Sequence, residues 1–303
     1  MYKKSLCFSL FIIVAISMNV ADIFHLKYIG KAYAHILSSN ENAALLAMFY
    51  QIQTEAELAQ RAYASNVTLA QEHAENALEL LRADWTNSTA DKAIVVNDIA
   101  PILYTLDISV KQHQSDSDIE MIVSYLFYAV EKFVDDYVGK SILNNPTIQA
   151  LALVDITNVV DNKYASAFGT GSGKMPSAVG MSHMMSNMMT NNNALNMKTN
   201  SSEELSLAQS NDNTHSPTSF ISLTNISDYQ TAQALATEAK TIFNNRLTTK
   251  VNPNMASATT ILQLGEGLDL LSTSINNKTS YEDVMTIIHG RIHPLLIRAY
   301  DLM

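Results

Sequence analysis

The residues with the most chemistry to offer fall into two groups. The first is MSHMMSNMMTNNNALNM, Met181 to Met197, which holds six methionines and a histidine in seventeen residues. Met181, His183, Met184, Met185, Met188 and Met189 supply soft thioethers and one imidazole, a donor set that favours Cu(I) among biological metals. Met181, Met184, Met185 and Met188 also stand at helical spacing, so the same segment reads equally as a short amphipathic helix or as a methionine-rich linker. The second group is IIHGRIHPLL, residues 287–296, where His289 and His293 lie four apart and share one helical face about a turn from each other. Two imidazoles need further ligands to make a metal site. His73, flanked by carboxylates in EHAE, is the third candidate, since helical bundles build metal sites from inward-facing histidines and carboxylates on different helices. The competing reading makes all three histidines hydrogen-bonded core residues.

Other chemistries fall away on inspection. HExxH fails because Gly290 occupies the position of the catalytic glutamate. FGTGSGKM, Phe168 to Met175, departs from a P-loop at Phe168 and Met175. GxSxG and CxxCH are absent. Paired carboxylates such as Asp135-Asp136 read as a solvated helix face. No catalytic motif remains, and the chain is expected not to be an enzyme.

Composition sets the compartment. MYKK precedes an apolar run from Ser5 to Ala21, and Ala32-Tyr33-Ala34 has the small residues of a signal-peptidase site, so residues 1–34 are expected to be an export signal or an uncleaved anchor. The one cysteine, Cys7, lies within it, which leaves the remainder no disulfide and no thiolate site. Loss of four lysines and one aspartate with that segment leaves 15 basic against 28 acidic residues, a net of −13. Such a balance disfavours nucleic acid and anionic membranes, which need a basic patch. It suits cations, while acidic residues kept for solubility explain it more simply; a metal ion or a cell-surface protein is the expected partner. No apolar run after residue 34 approaches the roughly 20 residues of a membrane span.

The elements that must position these groups are helices. Nine glycines and six prolines in 303 residues leave room for long ones. Apolar residues three and four apart predict helices over about 40–64, 68–85, 88 onward with a kink or break at Pro101, 117–139 and 145–168. In the fourth, the apolar stripe is Ile122, Tyr125, Leu126, Ala129, Val130, Phe133, Val134 and Tyr137. Residues 169–227 turn to Gly, Ser, Asn, Thr and Met, a composition that buries too little to offset chain entropy, and are expected to be a flexible linker. Helical texture returns over 228–248, 253–276 and 280–303. The expected fold is all-α: an antiparallel bundle of about eight helices, five in residues 35–168 and three in 228–303, interrupted by a long disordered Met/Asn/Ser-rich insertion. Sequons at Asn66, Asn87, Asn200, Asn225 and Asn277 fall at predicted turns or in the linker, where glycans fit an exported chain.

AQEHAENALELL (70–81), TIQALALVDITNVVDNKYASAFG (147–169) and DVMTIIHGRIHPLLIRAYDL (283–302) resemble uncharacterised exported helical proteins of ammonia-oxidising archaea. That group brings no activity and no catalytic residues. The resemblance implies an archaeal cell surface with copper-dependent metabolism nearby. Imelysin-type iron-uptake proteins are similar in architecture, but their GxHxxE motif is missing, since Gly290 follows His289.

Overall fold

Where the cap is described, the long helices start at a short polar side chain that takes over unpaired backbone N–H groups. In the computed structural model, which describes residues 40–84, 90–170, 222–248 and 258–302, Asn40 Oδ1 accepts from the amides of Asn42 and Ala43 and opens α1 (Glu41–Tyr63). Asn66 caps α2 (Val67–Asp84) through the Leu69 amide. The two form a hairpin across a three-residue turn. α3 (Ala90–Lys111) runs through Pro101 without a break, where the sequence predicts a kink or split. Ser115 and Asp118 form a reciprocal capping box at the start of α4 (Asp116–Phe133). A one-turn α5 (Lys140–Leu143) links it to α6 (Pro146–Ala167), which has Asn145 as its cap and proline at its first position.

After the 171–221 segment come α7 (Ile226–Ile242), α8 (Ala258–Asn276), α9 (Tyr281–Ile287) and α10 (His293–Tyr300). The last two make one rod, joined by a π turn at Ile288–Ile292. Similar π turns extend α4 over Val134–Val138 and α7 over Phe243–Leu247. The described residues are thus all-α, five long helices before the excursion and three rods after it, with no strand among them.

The expected linker ended at Ser227, but ordered structure resumes earlier. The amides of Thr224 and Asn225 both donate to the Ala167 carbonyl, at 2.8 and 3.2 Å, and Asn225 caps α7. The chain therefore re-enters the bundle at the point where it left it. Lys163 and Ser166 on α6 then hold Asp228, at 2.6 and 2.5 Å, which fixes the first turn of α7.

One apolar core runs through both blocks. α6 supplies its centre: Leu153, Val154, Ile156 and Val160 are fully buried, each worth about 1.5–3 kcal/mol of burial. Phe49 and Phe133 meet edge to face between α1 and α4, with centroids 5.4 Å apart. Tyr164, Phe168 and Tyr229 cluster where α6 meets α7. The hydroxyls of Tyr164 and Tyr229 donate to the Thr279 and Ile275 carbonyls, so the end of α8 is pinned to the same cluster. Burial pushes the Tyr164 phenol up to about 12, aided by its neighbour Tyr229.

Candidate functional site

His73 stands on the buried face of α2 between Ala70, Ala74 and Ala77, and is itself 0% exposed. Its Nδ1 donates to Glu55 Oε2 on α1 at 2.7 Å, and its Nε2 lies 3.0 Å from Gln230 Oε1 on α7. Thr231 Oγ1 lies 2.8 Å from the other Glu55 oxygen and 3.0 Å from the Ser227 carbonyl. One turn along α2, Asn76 donates to Ser227 Oγ at 3.2 Å. This closed network joins three helices, and it joins the two sequence blocks. A carboxylate needs such partners when it is buried, since without them its desolvation would be uncompensated.

His289 and His293 lie at the π turn, with ring centroids 4.9 Å apart and planes at 84°. A second i, i+4 pair, Thr157 and Asp161 on α6, faces them. His289 Nε2 is 3.4 Å from Asp161 Oδ2, to which the Tyr281 hydroxyl donates at 3.5 Å. His293 Nε2 is 2.9 Å from Thr157 Oγ1, whose own proton is directed at the Leu153 and Val154 carbonyls, so the imidazole donates here. The His293 N–H reaches the Ile288 carbonyl five residues back, a register that accommodates Pro294 within the rod. Burial pushes the Tyr281 phenol up to about 12, with the Asp161 carboxylate adding to the shift. Asp161 Oδ1 is buried and accepts no hydrogen bond.

His73 does not join the other two histidines: its partners are Glu55 and Gln230, and theirs are Thr157 and Asp161. At the π turn the two Nε2 atoms take different partners, Thr157 for His293 and Asp161 for His289. Among the described residues no group of three or more His, Cys, Asp or Glu is placed to hold a metal ion. Met181, His183, Met184, Met185, Met188 and Met189 lie outside the described residues.

Comparison with known proteins supplies no relative. No protein-family model matches the chain, and neither does any curated protein or solved structure. The site must be argued from its own residues.

Of the sequons, Asn66, Asn225 and Asn277 are described, and Asn87 and Asn200 are not. Asn66 and Asn277 are exposed. Asn225 is engaged at both ends of its amide, accepting from the Asp228 amide and donating to Asp228 Oδ2, and its sequon hydroxyl, Ser227, is buried. Asn66 and Asn225 line the same open depression of about 360 Å³, with Thr68, Glu72, Thr224 and Ile226. It is shallow and polar, unlike the enclosed apolar cavities that take small molecules.

The most unusual surface lies on α4. Its buried face is Ile119, Val123, Leu126, Val130 and Phe133. The sequence stripe had assigned Tyr125 to that face, yet Tyr125 is 59% exposed, as is Tyr128, and Met121 is 63% exposed. These three stand at i, i+4 and i+7 and so form a second apolar stripe along the helix. The Tyr125 and Tyr128 rings stack at 6.4 Å between centroids. A helix apolar nearly all round was the available signal, since periodicity alone cannot assign such a helix a single face.

Proposed function

We propose that the chain is an exported, non-catalytic helical binding protein of the cell surface, working through the outer face of α4. The observation that supports binding is the exposed Met121–Tyr125–Tyr128 stripe, because large apolar side chains gathered on one face of a soluble helix mark contact surfaces. Export rests on the N-terminal sequence, MYKK with its apolar run and Ala32-Tyr33-Ala34. Among the described residues no helix is long and apolar enough to cross a membrane. A non-catalytic role is supported by His73 and His293, whose ring nitrogens are engaged across helices by Glu55 and Gln230 and by Thr157. His73, Glu55, His293 and Thr157 are all buried in such pairs.

The test is photo-cross-linking in the source organism. Benzoylphenylalanine at position 125 should give one discrete adduct, identified by mass spectrometry, and the same residue at exposed Thr237 on α7 should give none. Absence of any adduct at 125, or the same adducts from both positions, would remove the support for α4.

An extracytoplasmic copper protein is the second reading. It draws on the Met181–Met189 cluster, whose thioethers and imidazole suit Cu(I), with His289 and His293 as the weaker donors, since among the described residues they gather no third ligand. Calorimetric titration with Cu(I) and Cu(II) separates the two readings. Copper should bind the intact chain more tightly than a chain lacking residues 175–197 with His289 and His293 replaced by alanine; equal affinity excludes this reading.

A further inference from the structure

We infer that the occupant of the outer α4 face is a basic amphipathic helix of another protein. This rests on the binding reading above and adds the chemistry of the partner.

Two properties of the face carry the inference. The first is its apolar line. Met121, Tyr125 and Tyr128 repeat at helical spacing, which matches the way a second helix presents its own apolar residues along a groove or ridge. Methionine adapts its shape to the partner, and tyrosine supplies broad area with few rotatable bonds. The second is the charge around the line. From Asp116 to Val138 the chain carries six carboxylates, on Asp116, Asp118, Glu120, Glu131, Asp135 and Asp136, and one cation, Lys132. Lys132 is already held by Asp136. Asp118 lies three residues before Met121, where it also caps the helix with Ser115, and Glu131 lies three after Tyr128, beside the Lys132–Asp136 pair.

That rim selects among occupants. A second copy of the chain would bring a like-charged rim against this one, and like charges across an interface repel. Anionic lipid is repelled for the same reason. Lysines or arginines flanking an apolar stripe meet both requirements at once. From Asp116 to Asp136 the face is about 30 Å long at 1.5 Å per residue, so a partner helix of about 20 residues covers it.

The experiment uses the full chain and three synthetic 18-residue peptides. One has leucine at i, i+3, i+4 and i+7 positions with lysine elsewhere, one has glutamate in place of lysine, and one has serine in place of leucine. The lysine–leucine peptide should bind, with affinity that falls steeply as salt rises, and the other two should not. Met121→Ser/Tyr125→Ser/Tyr128→Ser should weaken binding at least tenfold while keeping the wild-type circular dichroism, because all three side chains are exposed. The inference is overturned by equal binding to the triple variant, by equal binding of the lysine–serine peptide, by no binding of the lysine–leucine peptide, or by a wild-type dimer that the triple variant abolishes. A discrete adduct at position 125 together with failure of the peptide would retain the binding reading and reject this partner.

Discussion

His73 Nδ1 lies 2.7 Å from Glu55 Oε2, in a place where neither side chain is more than 2% exposed. The pair links two helices of the first block, and Gln230 and Thr231 complete it from the second. His73→Ala leaves the Glu55 carboxylate buried with one partner fewer, so it should cost about 3–5 kcal/mol in urea unfolding. The double variant Glu55→Leu/His73→Leu should cost less than His73→Ala alone, because no carboxylate is then left short of a partner between α1 and α2. Additive losses would mean that the pair is not coupled.

Glu238 on α7 predicts a pH-dependent gain. Burial raises its pKa above the ordinary carboxylate value, and the nearby Glu57 carboxylate raises it further. A carboxyl with a raised folded pKa favours the fold below its unfolded pKa, and that contribution is lost as pH rises through the folded value. Glu238→Gln should therefore match wild type at pH 4 and melt about 1–3 °C higher at pH 7. Scans across that range check the sign; a gain that is greatest at pH 4 contradicts it.

Two glycines should respond for different reasons. At Gly139, with φ of +78°, ψ of 149° and nothing within 4 Å of an added Cβ, alanine meets only backbone strain of about 1–3 kcal/mol. At Gly267 an added Cβ would lie 3.3 Å from Ile292 Cγ1 in the π turn, so α8 packs closely on the rod that carries His289 and His293. Valine there should cost about 1–3 kcal/mol by overpacking. It should also shift the His289 and His293 ring resonances, which Gly139→Ala should leave in place.

The two copper candidates are separable by substitution. His293 is engaged by Thr157, and among the described residues no third ligand joins the pair, so His289→Ala/His293→Ala should change copper affinity less than threefold. Serine at Met181, Met184, Met185 and Met188 should remove any Cu(I) uptake, as read by competition with a chromogenic chelator. The opposite ranking would assign the metal to the histidines.

The helices were largely legible because their signals are local. Asn145-Pro146 announced α6, and the apolar spacing of 40–64 and 117–139 placed α1 and α4 within two residues. The π turns were not legible. One extra residue in a turn offsets the apolar register by about 100°. The turns fall at helix ends or before the eight-residue α10, where too few apolar positions follow for the offset to show, and that offset sets how His289 and His293 stand. The start of α7 was readable in Asn225 and Asp228, a capping pair three residues apart, but the Ser/Asn-rich composition around it pointed to linker. Glu55 carried a signal too, since it interrupts the buried run of Ile52, Ala56 and Ala59. A charge at such a position requires a partner, yet sequence offers no means of choosing His73, eighteen residues on. Gln230 and Thr231, on a distant helix, are further still from any local pattern.

The bonds from Thr224 and Asn225 to Ala167 bear on how the chain could be divided. Since the excursion departs and returns at one point, the peptide bonds within it add little to holding α6 against α7. That task falls to Asp228 with Lys163 and Ser166, to the Glu55–His73–Gln230–Thr231 network and to the common core. A chain severed anywhere in 171–221 should therefore behave as two complementary fragments that find each other and remain together as a noncovalent pair.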